Sequence, residues 1–589
     1  MKKKRRVCKA VSLFCVMALS IGFTGCAQES VDSEDNSNGT TAVIKDEATE
    51  KAFRDKDSLY ENQDPASVKV MYLTVRSGNS EDNTDHTWSD INDYSTYDYD
   101  KMGVERYKVE ALLQEGDETG IAKDGFGSTA NAPNATVQVR GQTSSRQPQK
   151  NYKIEIKKEK GTMDGQRTIS LNKHVGDSLR FRNKLCYDLI SEIPQIMGLR
   201  TQFVHLYVKD ETASSTSDNF KDYGLYTQVE QLNKTGLKNH GLDSSGHLYK
   251  INYFEFYRYE DVIKLQTAAD YDNAAFSELL ECKGNNDNTK LIEMLDALNN
   301  YQIPIEDILS KYFDEENLTY WMAFQMLIGN ADTESRNLYI YSPLNSDRWY
   351  LIPWDHDASL MYDEFKVKNF TDAENWQTGV SNYWGNVLFN RCLKSEDFRK
   401  ALDGAVEDVK SHLSKEHITE LVEKYRSVAE PYAFALPDRQ FEKVTKAQYD
   451  KIADNLPNLV DMYYKNYQDS LLKPMPFFIG APTVEGDKLK INWEAAYDFD
   501  SEDMTYHVQL SKDYTYKNNI IDKSNVRTTE ISTDKLEPGQ YFIRVTATNE
   551  SGYSQDTFDY YETDKGKVYG AKCFYVNKDG SIVEDINEE

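Results

Sequence analysis

The amino-acid sequence predicts an α+β body followed by a separate all-β module. Three observations carry that expectation. Short β-branched runs separated by polar loops fill the first half, helical periodicity dominates from about 276 to 468, and strands recur at short intervals after Pro474, Pro476 and Pro482. With 589 residues, 39% hydrophobic and 28% charged, the chain has material for two to four domains with sizeable cores. Its 69 basic residues face 97 acidic ones, a net charge of -28. Binding to a nucleic-acid backbone needs clustered Lys and Arg, so no nucleic-acid partner is expected.

At the N-terminus, Lys2, Lys3, Lys4, Arg5 and Arg6 precede an apolar run over 11–23, the pattern of a secretory leader and too short to span a bilayer. The run ends in Phe23-Thr24-Gly25-Cys26, which resembles a bacterial lipobox. That resemblance implies a lipoprotein signal peptide over 1–25 and lipidation of Cys26. The expected location is the bacterial cell surface, with the membrane a partner through a lipid anchor at the outer face of the cytoplasmic membrane. Losing residues 1–25 removes six basic and no acidic residues, moving the charge from -28 to -34. Residues 26–64, rich in Ser, Asp, Glu, Asn and Thr, read as a flexible tether. Cys186, Cys282, Cys392 and Cys573 are scattered and form no CxxC pair; export would permit disulfides, such spacing in a large chain more often means buried free thiols, and the sequence does not decide the pairing.

The body is expected over 65–473. Strands are predicted at 68–75, 136–140, 152–157, 202–209 and 225–230, a helix at 179–193, and a long loop over 77–100 rich in Asn, Asp and Ser. Helical segments follow at 276–298 and 315–328 and from 384 to 468, interrupted near Pro431 and Pro437. A β-rich island lies among them, with strands at 337–341 and 349–353 joined by a turn containing Pro343, Asn345 and Asp347.

After the prolines, Tyr506, Val508 and Leu510 alternate on one strand and Tyr541, Ile543 and Val545 on another, as a half-buried sandwich requires. The line from Leu536 to Gly552 resembles the tyrosine-corner strand of fibronectin type III domains, with Trp493 on an earlier strand. A fibronectin type III-like domain is thus expected over 474–562, with a tail at 563–589 forming a hairpin at Asp579-Gly580.

The sequence has no GxxxxGK[ST] loop, no HExxH and no GxSxG. Gly176-Asp-Ser178-Leu179 mimics a serine-esterase string but has no downstream Asp-x-x-His. The positive signal is Asp332-Thr-Glu-Ser-Arg-Asn337, then two strands and Asp355-His-Asp357. Phosphoryl transfer needs a carboxylate near the incoming hydroxyl and an amide oxygen plus a second carboxylate for a metal, all on rigid elements. An Asp, an Asn five residues later and an Asp after the next hairpin follow that layout, and hard oxygen donors suit Mg²⁺. The segment 321–328 leads into Asp332 and 350–354 into Asp355, and carboxylates at the mouths of apolar runs are costly unless paired or metal-bound.

From about 65 to 440 the chain resembles the spore-coat CotH kinase family of atypical secreted kinases. The motifs run in order: Arg140-Gly-Gln-Thr-Ser-Ser145 with Lys150-Asn-Tyr152-Lys153, Asp177-Ser-Leu-Arg-Phe-Arg182-Asn183, Tyr223-Gly-Leu-Tyr226-Thr-Gln-Val-Glu230, Leu248-Tyr249-Lys250, Asn330-Ala-Asp332 with Asn337, and Trp349-Tyr-Leu-Ile-Pro-Trp354-Asp355-His-Asp357. The resemblance implies a distant protein-kinase-like fold that takes ATP with Mg²⁺ or Mn²⁺ and phosphorylates Ser or Thr of surface or exported proteins. It implies that Asp332 and Asp355 are catalytic and that Asp355, Asn337 and Asp357 hold the metal. It further implies that Trp349 stacks on adenine with Tyr223 or Tyr226 opposite, that Lys150 and Arg140 meet the phosphates, and that Glu230 orients the lysine or reaches the metal. Gln142 stands where the family's string has Asn, and 211–222 is an insertion. The alternative is a catalytically inactive surface scaffold or adhesin built on the same domains. A carboxylate-pair glycosidase ranks last, because nothing in the sequence marks a raised-pKa acid beside a sugar cleft.

Overall fold

The structure is a computed structural model that describes residues 59, 64–213, 219–367, 376–563 and 566–585. The leader, Cys26 and nearly all of the tether lie outside these residues, as does part of the 211–222 insertion. No helix among the described residues is long and apolar enough to cross a membrane.

The first half is a closed barrel. It is built from β1 (Val68–Arg76), β2 (Val109–Asp117), β3 (Gly120–Ile121), β4 (Ala135–Arg140), β5 (Asn151–Ile156), β6 (Thr168–Asn172), β7 (Thr201–Asp210) and β8 (Lys221–Glu230). Neighbours run β1-β7-β8-β6-β5-β4-β2, and β1 also pairs with β2, closing a ring of seven strands to which β3 is appended. Burial alternates strictly along β4 and β5, and the barrel interior is filled by side chains such as Leu73, Val137, Ile154, Leu171 and Leu206.

Two helices stand where a loop was expected, α1 (Trp88–Asp93) and α2 (Thr96–Met102). Each begins with a capping box, Thr87 with Asp90 and Ser95 with Asp98, in which side chain and backbone satisfy each other at the helix start. The Asp- and Ser-rich texture that suggested a loop is therefore helix-start chemistry. Trp88 stacks on Tyr152 at 5.1 Å and donates its Nε1–H to the Tyr223 hydroxyl at 2.8 Å. Between β6 and β7 lies α3 (Arg182–Ile190), with eight of its nine residues buried.

A second sheet, ordered β10-β9-β11-β12, comprises β9 (His247–Ile251), β10 (Leu280–Cys282), β11 (Leu338–Ser342) and β12 (Tyr350–Pro353). The helix expected over 276–298 is split by β10 and the polar run Lys283–Asn288. The body's helices are α4 (Lys234–Asn239), α5 (Asn273–Leu279), α6 (Thr289–Asn299), α7 (Ile305–Tyr312), α8 (Glu315–Leu327), α9 (Tyr362–Val367), α10 (Val387–Lys394), α11 (Glu396–His412), α12 (Lys415–Ala433), α13 (Lys446–Asn455) and α14 (Leu459–Leu471). Helix α8 is apolar nearly all round, as a helix inside a core must be, and the largest hydrophobic cluster joins it to the second sheet and α3.

Barrel and helical body lock together at Lys173. Its ammonium lies 2.7 Å from Asp438 Oδ1 and donates to the carbonyls of Tyr223 and Leu225. Gly224, at φ +72, lets the chain pass so close that a Cβ would sit 2.3 Å from Asp438 Oδ2.

The C-terminal module has a three-stranded sheet, β13 (Thr483–Glu485), β14 (Lys488–Asn492) and β17 (Glu530–Asp534). A second sheet holds β15 (Thr505–Ser511), β16 (Asn519–Val526), β18 (Gly539–Thr548), β19 (Ser554–Asp556), β22 (Ala571–Val576) and β23 (Ile582–Glu584). A hairpin of β20 (Tyr560–Thr563) and β21 (Gly566–Tyr569) precedes β22. Trp493, Val508, Leu510, Ile543 and Val545 share the module's core. The module is seated on the body through aromatic contacts: Trp384 meets Tyr497 at 5.1 Å and Trp376 meets Phe558 at 5.1 Å. Cys186, Cys392 and Cys573 are buried free thiols, and Cys282 is half-buried and free.

Candidate active site

One hairpin brings Asp332, Asn337 and Asp355 together. After α8 a short turn over Ala331–Thr333 presents Asp332. β11 and β12 pair with Leu338 opposite Pro353, so Asn337 and Trp354 meet just beyond the ladder, where Trp354 N–H donates to Asn337 O at 3.2 Å. Asp355 follows at once. Asn337 and Asp355 have left-handed backbones, φ +57 and +59, which Asn and Asp tolerate better than other non-glycine residues. Asn337 Nδ2 donates to Asp332 Oδ2 at 2.9 Å, and Arg336 pairs with the other oxygen. Burial raises the Asp332 carboxyl pKa; Arg336 opposes that rise, and the charge of Asp355 adds to it.

Helix α3 fastens the loop that carries Asp355. The Tyr187 hydroxyl accepts from Asp355 N–H at 3.0 Å, and Asn183 Oδ1 accepts from His356 N–H at 3.0 Å. One turn earlier, fully buried Arg182 pairs with Asp177 and with Glu364 of α9. Ser178 donates to Glu364 through its backbone N–H at 3.0 Å and its hydroxyl at 2.8 Å. The esterase-like string thus serves a structural network. Asp357, between these anchors and exposed to solvent, has its carboxyl pKa raised, first by the charge of Asp355.

Cations face these carboxylates. Arg140, at the end of β4, donates to Asn172 Oδ1, and Asp355 is its main attractive charge. Lys250 of β9 stands opposite Tyr339 on one side and Glu281 on the other. Burial lowers its pKa, while Glu281 and Asp355 draw it back. Sequence reasoning quoted Lys250 within a motif and gave it no role. Among the described residues the Lys250 ammonium and the carboxylates of Asp355 and Asp357 form no hydrogen bond or ion pair. His174, also beside Asp355, is driven down to about 4 by burial and is neutral at pH 7.

The other expected residues lie elsewhere. Lys150 donates to Ser145 O at 2.7 Å and has Asp93 and Asp98 as its attractive neighbours. Tyr226 is buried in the barrel with the Lys173 ammonium 4.3 Å from its ring centre. Glu230 is wholly buried, accepts from Arg200 N–H at 3.2 Å and meets His240 Nε2 at 3.0 Å. It lies three residues along β8 from Thr227, which pairs with Asn172, or about 10 Å from the Arg140 end of the barrel. Trp349 has no exposed surface; it precedes β12 and packs against Tyr249 and His247 at 6.1 Å. Among the described residues no three Asp, Glu, His or Cys side chains converge as a metal cluster.

Glu334 adds a pH dependence to the fold. Burial pushes its carboxyl from an ordinary 4.5 up to about 7, and its Oε2 has no hydrogen-bond partner among the described residues. A folded-state pKa above the unfolded one means that the native state holds the proton more tightly. This contribution to stability is therefore complete below 4.5 and falls away as pH rises through about 7. Glu334→Gln should flatten that decline, read as the change in urea midpoint between pH 5 and pH 8.

A family profile described as CotH kinase protein matches residues 137–468. The inner spore coat protein H of Bacillus subtilis (strain 168) is 23% identical over 257 residues, covering 43% of this chain and 64% of that relative. The chain therefore spans less than two thirds of the relative's length.

Proposed function

The chain belongs to the CotH kinase family, and on that premise we propose that it transfers the γ-phosphoryl group of ATP to Ser or Thr hydroxyls of surface or exported proteins. One observation carries this reading: the Lys250 ammonium and the Asp355 and Asp357 carboxylates, which form no hydrogen bond or ion pair among the described residues, lie around the hairpin that holds Asp332 and Asn337, with Asp355 acting on both Lys250 and Asp357. Unpaired charge of both signs at such a place is costly unless a ligand of mixed charge completes it. A triphosphate with its divalent cation is such a ligand.

Arg140 and Lys250 meet the phosphates, the guanidinium as a forked donor and the ammonium as a compact charge. Asp355, with Asn337 and Asp357, would hold Mg²⁺ or Mn²⁺, which would supply neutralisation of the phosphate charge when bound. The donor set fits such an ion, being all hard oxygen, and the repulsion that raises Asp357 is what a dication relieves. Asp332 keeps lone pairs beyond those used by Arg336 and Asn337 and accepts the acceptor's hydroxyl proton at its carboxylate. We read the barrel and the helical body as the two lobes of a distant protein-kinase-like fold.

The C-terminal module is read as fibronectin type III-like, supported by its two sheets and by the Tyr541 hydroxyl donating to Glu537 O at 2.8 Å. The leader and Cys26 support anchoring at the outer face of the cytoplasmic membrane. The test is label transfer from γ-labelled ATP with Mg²⁺ to a serine peptide by the full chain. Asp332→Asn should lower the rate by on the order of 10²-fold with ATP affinity retained. An unchanged rate would remove Asp332 from the chemistry.

A further inference from the structure

A histidine that the proposed chemistry does not use is held at both ring nitrogens by carboxylates. His205 lies on β7, where the ladder with β8 slips: His205 stands opposite Leu225 and Tyr207 opposite Asp222, so β8 carries one extra residue in between. Its Nδ1 lies 2.8 Å from Oε1 of Glu118, in the turn joining β2 and β3, and its Nε2 lies 2.8 Å from Asp222 Oδ1. A carboxylate only accepts, so both ring nitrogens must donate, and they do so together only in the imidazolium. The residue is buried, its ring 4.3 Å from that of Tyr207 and 4.9 Å from that of Tyr432 on α12. The Tyr432 hydroxyl is 3.3 Å from the same Nδ1 that faces Glu118.

These contacts sit on the seam between barrel and helical body. Asp222 Oδ1 also accepts from Gly224 N–H at 2.7 Å, and Leu225 N–H donates to Asp438 Oδ2 at 3.1 Å, so the network runs on to the Lys173 latch. On the other side, Glu118 Oε2 accepts from the Tyr207 hydroxyl at 2.9 Å. A neutral imidazole has one donor and one acceptor. With Nε2–H kept on Asp222, the Nδ1 lone pair repels Glu118 and can accept from Tyr432, whose hydroxyl is pushed up to about 12 by burial and then by Glu118, and so keeps its proton. Burial pulls the imidazole pKa down, but the hydrogen bonds to Asp222 and Glu118 outweigh it and set it above the ordinary 6.5. The contribution of His205 to stability is therefore complete below 6.5 and lost as pH rises through the folded value. Lys173 and Asp438 stand behind Asp222 and Tyr432. Burial drives Lys173 down to about 8, so it changes charge in the same range with the opposite sign, and His205 has to be read directly.

We propose that His205 is a proton-operated clamp: charged, it ties the β2–β3 turn to β8; neutral, it releases Glu118 and takes the Tyr432 hydroxyl of the helical body instead. The Nδ1 proton passes to water and no other covalent bond changes. The clamp is independent of the phosphotransferase reading. The test follows the His205 Cε1–H proton resonance of the full chain from pH 5 to pH 9, assigned with His205→Gln, together with amide hydrogen exchange over 116–121 scaled to intrinsic rates. Wild-type His205 should titrate above 6.5. Glu118→Gln should titrate about one pH unit lower, having lost an opposite charge, and Tyr432→Phe higher, having lost the partner of the neutral ring. Exchange over 116–121 should rise several-fold across the wild-type titration and stay level in Glu118→Gln. A wild-type midpoint at or below 6.5, no downward move in Glu118→Gln, no upward move in Tyr432→Phe, or exchange over 116–121 indifferent to pH would overturn the proposal.

Discussion

Asp355→Asn is expected to lower phosphoryl transfer by on the order of 10³-fold or more, because the lost charge anchors several kcal/mol of electrostatic stabilisation. Asp355 is the carboxylate that Arg140, Lys250 and His174 all face, and it sits nearest in charge to Asp357. Asparagine is the informative replacement. It keeps the size of the side chain and tolerates φ +59, whereas alanine would add backbone strain to the loss of charge. The N–H that Tyr187 accepts is a backbone group and survives the change. The fold should therefore persist, which circular dichroism and an unchanged urea midpoint would verify. The same variant should relieve Asp357 of its principal source of repulsion.

Glu364→Ala is expected to cost about 3–5 kcal/mol of stability, because the buried Arg182 guanidinium keeps Asp177 alone and two buried Ser178 donors lose their acceptor. Arg182, Asp177 and Glu364 are each fully buried at the side chain, and the Ser178 hydroxyl and backbone N–H would lose their acceptor as well. Because α9 follows the Asp355–Asp357 loop, the lesion also loosens that loop from α3. Urea unfolding followed by tryptophan fluorescence would give the stability change. A shift below about 1 kcal/mol would mean that the network contributes no more than a surface pair.

What the sequence discloses follows contact range. Asp332, Asn337 and Asp355 are legible because one hairpin of adjacent strands positions all three. Lys250 is not, since its place depends on β9 pairing with β11, with Tyr339 opposite it from far along the chain. Trp349 shows the converse, an aromatic within a motif that fills the core, with a backbone bridge to Phe313 beside it. Glu230 follows a motif too, yet its partners are Arg200 and His240. Closure of the barrel by β1 needs both a parallel and an antiparallel neighbour, and neither leaves a local mark. Helices α1 and α2 were legible in principle, through Thr87-x-x-Asp90 and Ser95-x-x-Asp98, but their polar composition concealed them.

The most direct test is calorimetric titration of ATP into the full chain with and without Mg²⁺, alongside Asp355→Asn and Lys250→Met. One shared site for triphosphate and dication predicts saturable, Mg²⁺-enhanced binding. Asp355→Asn should lose the Mg²⁺ enhancement, and Lys250→Met should weaken ATP about tenfold or more whether or not metal is present. Absence of ATP binding in the wild type, or binding indifferent to Mg²⁺ and to both substitutions, would contradict the account.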